Sequence, residues 1–230
     1  GDKFSSVNIT ISEVIRKIIQ KRCNRPSTII YNGVPIKESS SQDGFLKSIG
    51  VVKGGYILAV ARFVHEKGLH DLIEAYAKSD KKYDLVIAGD ADHEDDYSRS
   101  LKQQASANNV KLTGYITGDD LHQIYSHAAL FVLPSYHEGL PIALLEALSY
   151  GLNVLVSDIP ANMEVKLDKC HFFKCGDVDE LAERLTARLE AGIDDNYRNN
   201  ISKMLYNKYN WENIAEQTIG VYKKVMKTSI

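Results

Sequence analysis

Short apolar segments alternate along this chain with stretches of helical periodicity. The apolar segments are 56–61 (YILAVA), 84–89 (DLVIAG), 110–114 (VKLTG), 129–134 (ALFVLP) and 153–158 (NVLVSD). Near-continuous apolar strands of this length are typical of a parallel sheet that is covered on both faces. We therefore predict that these segments are strands of such a sheet.

Apolar positions three and four apart predict helices between these strands. They mark helices near 69–77, 121–128 and 181–189, and Asp177 with Glu180 three residues later has the spacing of a helix start. The alternation of strand and helix predicts an α/β fold with a doubly wound parallel sheet, Rossmann-like in type. In such sheets, ligands bind beyond the carboxyl ends of the strands.

The patterns divide the chain into four parts. Residues 1–34 hold one strand, one helix and an extended stretch, which cannot bury their own faces, so we expect them to be the tail of another domain that is mostly absent. Residues 35–55 form a polar linker and the entry to the main domain, which spans 56–210. Residues 211–230 form an amphipathic C-terminal helix.

A helix is predicted in the segment PSYHEGLPIALLEALSYG, residues 134–151. Pro141 lacks an N–H and has a fixed φ, which suits the first turn of a helix, and Gly151 suits the residue just past its end. We therefore expect the helix to begin at Pro141 or the residue before it. The alternative is an earlier start, because Ser135 and Glu138 have capping-box spacing; it would place Pro141 inside the helix, at a cost of about 3 kcal/mol.

The loop before this helix has the features of an anion site. Glu138 lies in that loop, and the amides near Gly139, Leu140, Ile142 and Ala143 would point out of the helix N-terminus beyond a strand. Gly139 also lets a ligand approach the backbone closely. Cations for this anion site are supplied by Arg62 and Lys67, in the loop after strand 56–61. The alternative is that both are ordinary surface residues.

Glu146 lies on the helix, about 7 Å further along its axis. A carboxylate repels phosphate, so Glu146 suits paired hydroxyl groups such as those of a ribose. The alternative is a solvated acid on the outer helix face. Its immediate neighbours are apolar, however, which predicts burial, and a buried acid needs a partner.

These segments together resemble the C-terminal, donor-binding half of the retaining GT-B glycosyltransferases of family four. The resemblance covers about residues 55–190 and rests on the paired glutamates, the R-x4-K loop and the Gly-Leu-Pro turn, which occur in order. Residues 1–34 resemble the last unit of that family's N-terminal acceptor domain with the interdomain strand. The C-terminal helix of that fold crosses back to the N-terminal domain.

The resemblance implies a role for each predicted site residue. Arg62 and Lys67 would hold the donor's diphosphate, and Glu138 would face hydroxyls of the transferred sugar. Glu146 would bind the ribose, and the backbone around Tyr115 and Ile116 would contact the base. The implied donor-binding set is Ala61, Arg62, Lys67, Gly89, Tyr115, Ile116, Leu121, Glu138, Gly139, Leu140, Pro141, Ile142 and Glu146, with Arg62, Lys67 and Glu138 as its catalytic members. The family often has glycine at the positions of Ala61 and Ala91, and the larger alanines of this chain would narrow the site slightly.

The implied reaction is retaining transfer of a hexose from a nucleotide-diphosphate sugar, with UDP or GDP as nucleotide, to a glycan or lipid-linked acceptor in polysaccharide biosynthesis. Cationic side chains and the helix N-terminus would stabilise the leaving diphosphate, so no metal or other cofactor is expected. The acidic run 92–96 is interpreted as the solvated start of a helix. A metal site at Cys170, His171 and Cys175 is an alternative to buried free thiols, which we favour.

Composition narrows the classes of protein. The chain has 230 residues, 25% of them charged, and a net charge of -2, which gives no general reason to expect nucleic acid as a partner. No run of 18 apolar residues is present. Three cysteines fit a reducing cytoplasm. We expect a cytoplasmic protein, with peripheral association at the inner face of a membrane through the missing domain.

Other classes of protein remain as alternatives. A nucleotide-sugar epimerase or a phosphorylase could use the same two-domain fold, although no lysine motif for pyridoxal phosphate is recognisable. A non-catalytic nucleotide-sugar-binding module would keep the sheet and lose the cations or Glu138, which are all present. A nicotinamide enzyme needs G-x-G-x-x-G after its first strand, and ARFVHEKG lacks it.

We predict that the 230-residue chain binds a nucleotide sugar but transfers it at no appreciable rate alone. Transfer on this fold takes place in a water-excluding cleft between two domains. The absent domain should also leave apolar surface exposed, with Ile9, Ile11, Ile15 and Ile18 as candidates. A side-by-side transferase assay of this chain and a longer one with the N-terminal part measures the rates. Comparable transfer by the 230-residue chain would refute the prediction.

Overall fold

The computed structural model describes residues 7–228. The strands are β1 (Asn8–Thr10), β2 (Ser27–Ile29), β3 (Tyr56–Val60), β4 (Asp84–Ala88), β5 (Lys111–Gly114), β6 (Leu130–Leu133), β7 (Val154–Ser157) and β8 (Phe172–Phe173). The α-helices are α1 (Glu13–Cys23), α2 (Gly44–Ser48), α3 (Leu69–Lys78), α4 (Asp96–Ala107), α5 (Gly118–His127), α6 (Ile142–Ser149), α7 (Pro160–Met163), α8 (Val178–Ala191), α9 (Asp195–Tyr209) and α10 (Trp211–Thr228). Two 3₁₀ turns occupy His65–Lys67 and Lys169–His171.

Six of these strands form one parallel sheet in the order β5-β4-β3-β6-β7-β8. Strands β4 and β5 lie on one side of β3, and β6, β7 and β8 lie on its other side. The order therefore reverses between β3 and β6, which are paired at Ile57 and Leu130. A reversal of this kind leaves a crevice at the carboxyl ends of the two strands, where ligands of doubly wound sheets bind.

Both faces of this sheet are covered by helices. In β3, Tyr56 and Leu58 pack in one apolar cluster, while Ile57 and Ala59 pack in the other. The first cluster includes side chains of α2, α5, α6 and α9, and the second includes side chains of α3, α4 and α8. Side chains alternate across a strand, so a strand buried on both faces has apolar residues at consecutive positions. The predicted doubly wound sheet and its five strands are confirmed.

The elements missed by the sequence patterns are short or irregular. Strand β8 has two residues, which is too short to show a period. Helix α9 was not recognised, because polar residues dominate it and only Ile201, Leu205 and Tyr209 are buried. The acidic run at 92–96 leads into α4 as predicted, with the Asp95 carboxylate accepting a hydrogen bond from the Ser98 N–H at 2.7 Å.

Residues 8–29 form a small unit beside the large sheet. Strands β1 and β2 pair in parallel, and α1 joins them without burying any of its residues completely. Of the apolar residues expected to be exposed, Ile9 and Ile11 are exposed, and Ile15 and Ile18 are half-buried. One contact of this unit is with Glu164, just after α7, whose Oε1 accepts hydrogen bonds from the Glu13 N–H and from the hydroxyl of Tyr31, which follows β2.

The interpretation of the cysteines as buried thiols is wrong for Cys170, which is exposed, and Cys23 and Cys175 are only half-buried. In the 3₁₀ turn Lys169–His171, the buried residue is His171, whose Nδ1 lies 2.9 Å from the carbonyl oxygen of Val154. Within residues 7–228, no cluster of three or more His, Cys, Asp or Glu side chains is placed to hold a metal ion. None of the helices in this range combines the length and the apolar character needed to cross a bilayer.

Replacing Gly89 with alanine should destabilise the chain by about 3 kcal/mol or more. Gly89 has φ of 132°, and a Cβ built there would lie 2.0 Å from the carbonyl oxygen of Ala61. Gly54→Ala is the matched control, because Gly54 also has a positive φ of 69° but its surroundings are open. The control should lose only about 1–2 kcal/mol from backbone strain. Urea unfolding measures both, and equal losses would show that the contact with Ala61 relaxes without cost.

Candidate donor-binding site

Two loops meet at the carboxyl ends of β3 and β6. Gly68, in the first loop, has φ of 63°, and a Cβ there would lie 2.2 Å from the carbonyl oxygen of Pro134 in the second. Only glycine permits this approach, because any side chain would both strain the backbone and overlap Pro134. The Tyr136 N–H then donates to the Glu66 carbonyl at 2.8 Å, which fixes the two loops side by side.

An ion pair joins the two loops. Lys67 Nζ lies 2.8 Å from Glu138 Oε1, and the two side chains are 16% and 10% exposed. The hydroxyl of Ser135 also donates to Glu138 Oε1 at 2.8 Å. Ser135 is fully buried, and its carbonyl accepts a hydrogen bond from the buried Ser157 hydroxyl. The structure thus brings together Lys67 and Glu138, which are 71 residues apart.

The helix that follows Glu138 starts late, as predicted. Ile142 is the first residue of α6, Pro141 occupies the position just before it, and Gly151 has a positive φ beyond its end. Ser135 and Glu138 bond to each other instead of forming a capping box. Among the hydrogen bonds of residues 7–228, the amides of Gly139 and Leu140 donate to no acceptor. Two N–H groups beside the Lys67–Glu138 pair therefore remain for a ligand.

A cavity of about 580 Å³ lies at the ends of β3, β4 and β5. Its lining includes the predicted site residues Ala61, Arg62, Gly89, Tyr115, Ile116 and Leu121. The Arg62 side chain is more than half exposed and pairs with Asp92 at 2.7 Å. This contact was not predicted. An exposed pair of this kind contributes little to stability, so a stronger anionic partner can displace Asp92.

A second cavity, of about 830 Å³, adjoins the first and shares Leu121 with it. Its lining includes the predicted residues Ile142 and Glu146, together with Lys37 and Trp211. Trp211 packs against the backbone of Gly33, where a Cβ would lie 2.6 Å from the indole ring. The predicted residues are therefore distributed over two neighbouring cavities, the ion pair and residues 139–141, which connect the ion pair to α6.

Glu146 has the partner that its predicted burial requires. The half-buried carboxylate accepts a hydrogen bond from the hydroxyl of Tyr125 at 3.2 Å. Burial raises the pKa of Glu146, and the Tyr125 hydrogen bond and the positive charge of Lys37 oppose this shift. The sequence patterns did not identify Tyr125, because it lies on the apolar face of α5 and resembles any other core residue.

A polar cluster that the sequence patterns missed joins α3 to the loop after β6. The Tyr136 hydroxyl donates to Asp71 Oδ2 at 2.6 Å, and His70 Nδ1 lies 3.0 Å from the Tyr97 hydroxyl. Burial lowers the pKa of His70 and raises that of Tyr136. The cluster could not be predicted from spacing, since His70 and Tyr136 are 66 residues apart.

Comparison with known proteins identifies the class of this chain. The family described as glycosyl transferases group 1 matches residues 46–217, and the chain belongs to it. An uncharacterized glycosyltransferase of Methanocaldococcus jannaschii is 31% identical over 234 residues, which cover 95% of this chain and 60% of the relative. The chain thus spans about 60% of the length of this curated relative.

Two further proteins are similar over nearly the whole chain. An α-1,3-N-acetylgalactosaminyltransferase of Campylobacter jejuni, named for an N,N'-diacetylbacillosaminyl-diphospho-undecaprenol acceptor, is 27% identical over 98% of this chain and 61% of its own length. The crystal structure of Anabaena HepE in complex with UDP-glucose superimposes with a TM-score of 0.84 at 21% identity, covering 97% of this chain and 65% of HepE. The predicted fold class, a Rossmann-like half of a GT-B fold, is confirmed.

Glu146→Gln should raise the free energy of unfolding near neutral pH, and this gain should shrink as the pH falls. Burial raises the pKa of Glu146 above its ordinary value of 4.5, so the folded chain binds that proton more tightly than the unfolded chain does. Above both pKa values the buried carboxylate opposes folding in full. Below the unfolded value the group is protonated in both states and the penalty is absent.

Urea unfolding of both proteins from about pH 4 to about pH 7 measures this difference. Glu183→Gln, which removes a carboxylate from an exposed position of α8, is the control. A gain for Glu146→Gln that stays constant across the whole range would show that burial of the charge is not its cause.

Proposed function

We propose that this chain supplies the donor half of a retaining glycosyltransferase of family four, which transfers a hexose from a nucleotide-diphosphate sugar. The observation that carries the proposal is the Lys67–Glu138 pair beside the two amides of Gly139 and Leu140, at the point where the strand order reverses. A cation from one loop is thereby held beside a carboxylate and two N–H donors from the other. The membership of the group 1 glycosyl transferases supports the same class of reaction.

The diphosphate would be bound by two cationic side chains of the first loop and by N–H groups of the second. Lys67 and Arg62 would exchange their carboxylate partners, Glu138 and Asp92, for phosphate oxygens. The N–H groups of Gly139 and Leu140 would add hydrogen bonds at the N-terminus of α6. As the sugar leaves, negative charge grows on the diphosphate, and preorganised cations and amides stabilise that charge most strongly in the transition state. We infer that this set replaces a metal ion.

Glu138 would then face the transferred sugar. When a phosphate replaces Glu138 as the partner of Lys67, the Glu138 carboxylate keeps the hydrogen bond from Ser135 and stays oriented. Its freed lone pairs can accept hydrogen bonds from sugar hydroxyls. The carboxylate also favours the positive charge that develops at the anomeric carbon.

The nucleoside would occupy the two adjoining cavities. Glu146 would accept hydrogen bonds from the ribose, and the base would lie against Tyr115 and Ile116 with Leu121 between the cavities. Anabaena HepE was solved with UDP-glucose, and a Xanthomonas oryzae relative that is 27% identical is named for GDP-mannose, which supports UDP and GDP as the two candidate nucleotides. The Campylobacter relative, by its name, acts on an undecaprenol-linked sugar, which supports a glycan or lipid-linked acceptor.

The remaining features of the whole protein are proposals of the same kind. We infer an N-terminal acceptor domain that completes the cleft, a cytoplasmic site of action and peripheral contact with a membrane through that domain. Neither an epimerase nor a non-catalytic module is favoured, because the relatives described above are transferases by name and both loops keep their charged residues.

Alanine substitutions at the two cations should weaken binding of UDP or GDP, and leave binding of uridine or guanosine nearly unchanged. A hydrogen bond to a charged group contributes about 1.5–3 kcal/mol, so each of Lys67→Ala and Arg62→Ala should cost roughly 10- to 100-fold in affinity. Glu138→Ala should spare the nucleotide and lose the preference for the intact sugar nucleotide. Glu146→Gln should weaken the nucleoside and the diphosphate alike.

Calorimetry of each variant with nucleoside, diphosphate and sugar nucleotide measures these differences. Lys78→Ala and Arg198→Ala are matched controls, because each removes a cation that pairs with acids away from both cavities. Equal losses for nucleoside and diphosphate in Lys67→Ala would show that the loop does not contact the phosphates. Failure of the unmodified chain to bind any nucleotide would overturn the proposed function.

A further inference from the structure

A hydrogen bond links the small unit to the candidate site. The hydroxyl of Ser12, at the start of α1, donates to the carbonyl oxygen of Gly139 at 2.6 Å. The two residues are 127 positions apart, and Ser12 is fully buried. The Ser12 hydroxyl oxygen also accepts a hydrogen bond from the Ile15 N–H at 3.2 Å and so caps α1. Ser12 therefore does two separate things: it caps its own helix as an acceptor and holds Gly139 as a donor.

Fixing the Gly139 carbonyl also fixes the amide of Leu140, because both belong to one planar peptide group. None of the described peptide bonds is cis, and in a trans peptide the C=O and N–H point in opposite directions. The Leu140 N–H consequently points away from Ser12. Like the Gly139 amide, it donates to no acceptor among the described residues.

This peptide group needs such a restraint. Glycine has a wide range of accessible backbone angles, so the peptide between Gly139 and Leu140 can rotate unless its polar atoms are bound. After this peptide group, the chain is fixed by the buried Leu140 side chain and by a hydrogen bond of 2.9 Å from the Ile142 N–H to the Leu140 carbonyl. The peptide group itself is bound by Ser12.

The small unit is itself held in place, so that Ser12 can act as a rigid support. Glu164 Oε1 accepts hydrogen bonds from the Glu13 N–H at 2.8 Å and the Tyr31 hydroxyl at 3.0 Å. The Ile15 side chain packs beside Gly139, 3.6 Å from where a Cβ would stand. Three contacts thus define where the start of α1 lies against the loop.

We propose that Ser12 is a positioning residue for donor binding: it aims the Leu140 amide at the donor by holding the Gly139 carbonyl. This inference rests on the proposed function, in which that amide binds the diphosphate of a nucleotide sugar. It assigns a role in donor binding to a residue outside the large sheet. The orientation of the amide then depends on how the small unit docks.

Three substitutions at Ser12 separate its two hydrogen bonds. Ser12→Ala removes both, Ser12→Asp keeps an acceptor for the Ile15 N–H but has no proton for Gly139, and Ser12→Thr keeps both. Asp177→Ala removes the side-chain cap of α8, away from the site, and controls for the loss of a helix cap alone. Calorimetry with UDP, uridine, GDP and guanosine gives the affinities, and thermal unfolding reports on the fold.

Ser12→Ala and Ser12→Asp should bind the diphosphates about tenfold more weakly than the unmodified chain, with unchanged affinity for the nucleosides. Ser12→Thr should bind both like the unmodified chain, and Asp177→Ala should lower the Tm without changing the ratio of the two affinities. If Ser12→Asp does not fold, the comparison of Ser12→Ala with Asp177→Ala decides.

The outcomes distinguish this inference from the proposed function. If the unmodified chain prefers UDP or GDP to its nucleoside and the Ser12 variants do so equally, the positioning role is overturned and the proposed function stands. If the Ser12 variants lose nucleoside and diphosphate affinity together with Tm, Ser12 only supports the fold and the positioning role is again overturned. If the unmodified chain shows no preference for the diphosphate, the proposed function fails and the positioning role fails with it.

Discussion

The close approach of Gly68 to Pro134 is the constraint on which the candidate site depends. Strands β3 and β6 are neighbours in space although two strands and three α-helices separate them in the chain. Their loops can lie side by side only because position 68 has no Cβ. Lys67 comes directly before this glycine, so the same contact that joins the loops also sets the lysine beside Glu138. Backbone sterics and side-chain electrostatics thus act at one place.

A buried polar network supports the site on the other side of this contact. Ser135 orients Glu138, Ser157 binds the Ser135 carbonyl, and Asn162 donates to Ser157. Each of these three side chains is fully buried. Buried polar groups are costly unless they are hydrogen-bonded, so the network has few alternative arrangements. We regard it as the reason that an acidic side chain can be held at low exposure next to a single lysine.

The sequence predicted what local rules determine. Pro141 and Gly151 mark the ends of α6, because proline lacks a donor and glycine tolerates a positive φ, and the apolar strands follow from burial on two faces. It did not predict the contacts of Tyr125, Asp92 or Ser12. Each of these depends on residues far apart in the chain, and a tyrosine in a helix or a serine at a cap has an ordinary local explanation.

The packing of Trp211 on Gly33 has a spectroscopic consequence. The chain contains one tryptophan, and its indole lines the larger cavity together with Glu146. Its side chain is still 54% exposed, so water reaches the ring. An indole that loses water shifts its emission to shorter wavelengths, and with one tryptophan the whole tryptophan signal comes from this position. Fluorescence excited selectively in tryptophan, where the 13 tyrosines absorb little, therefore reports solvent exclusion beside Glu146 without any label.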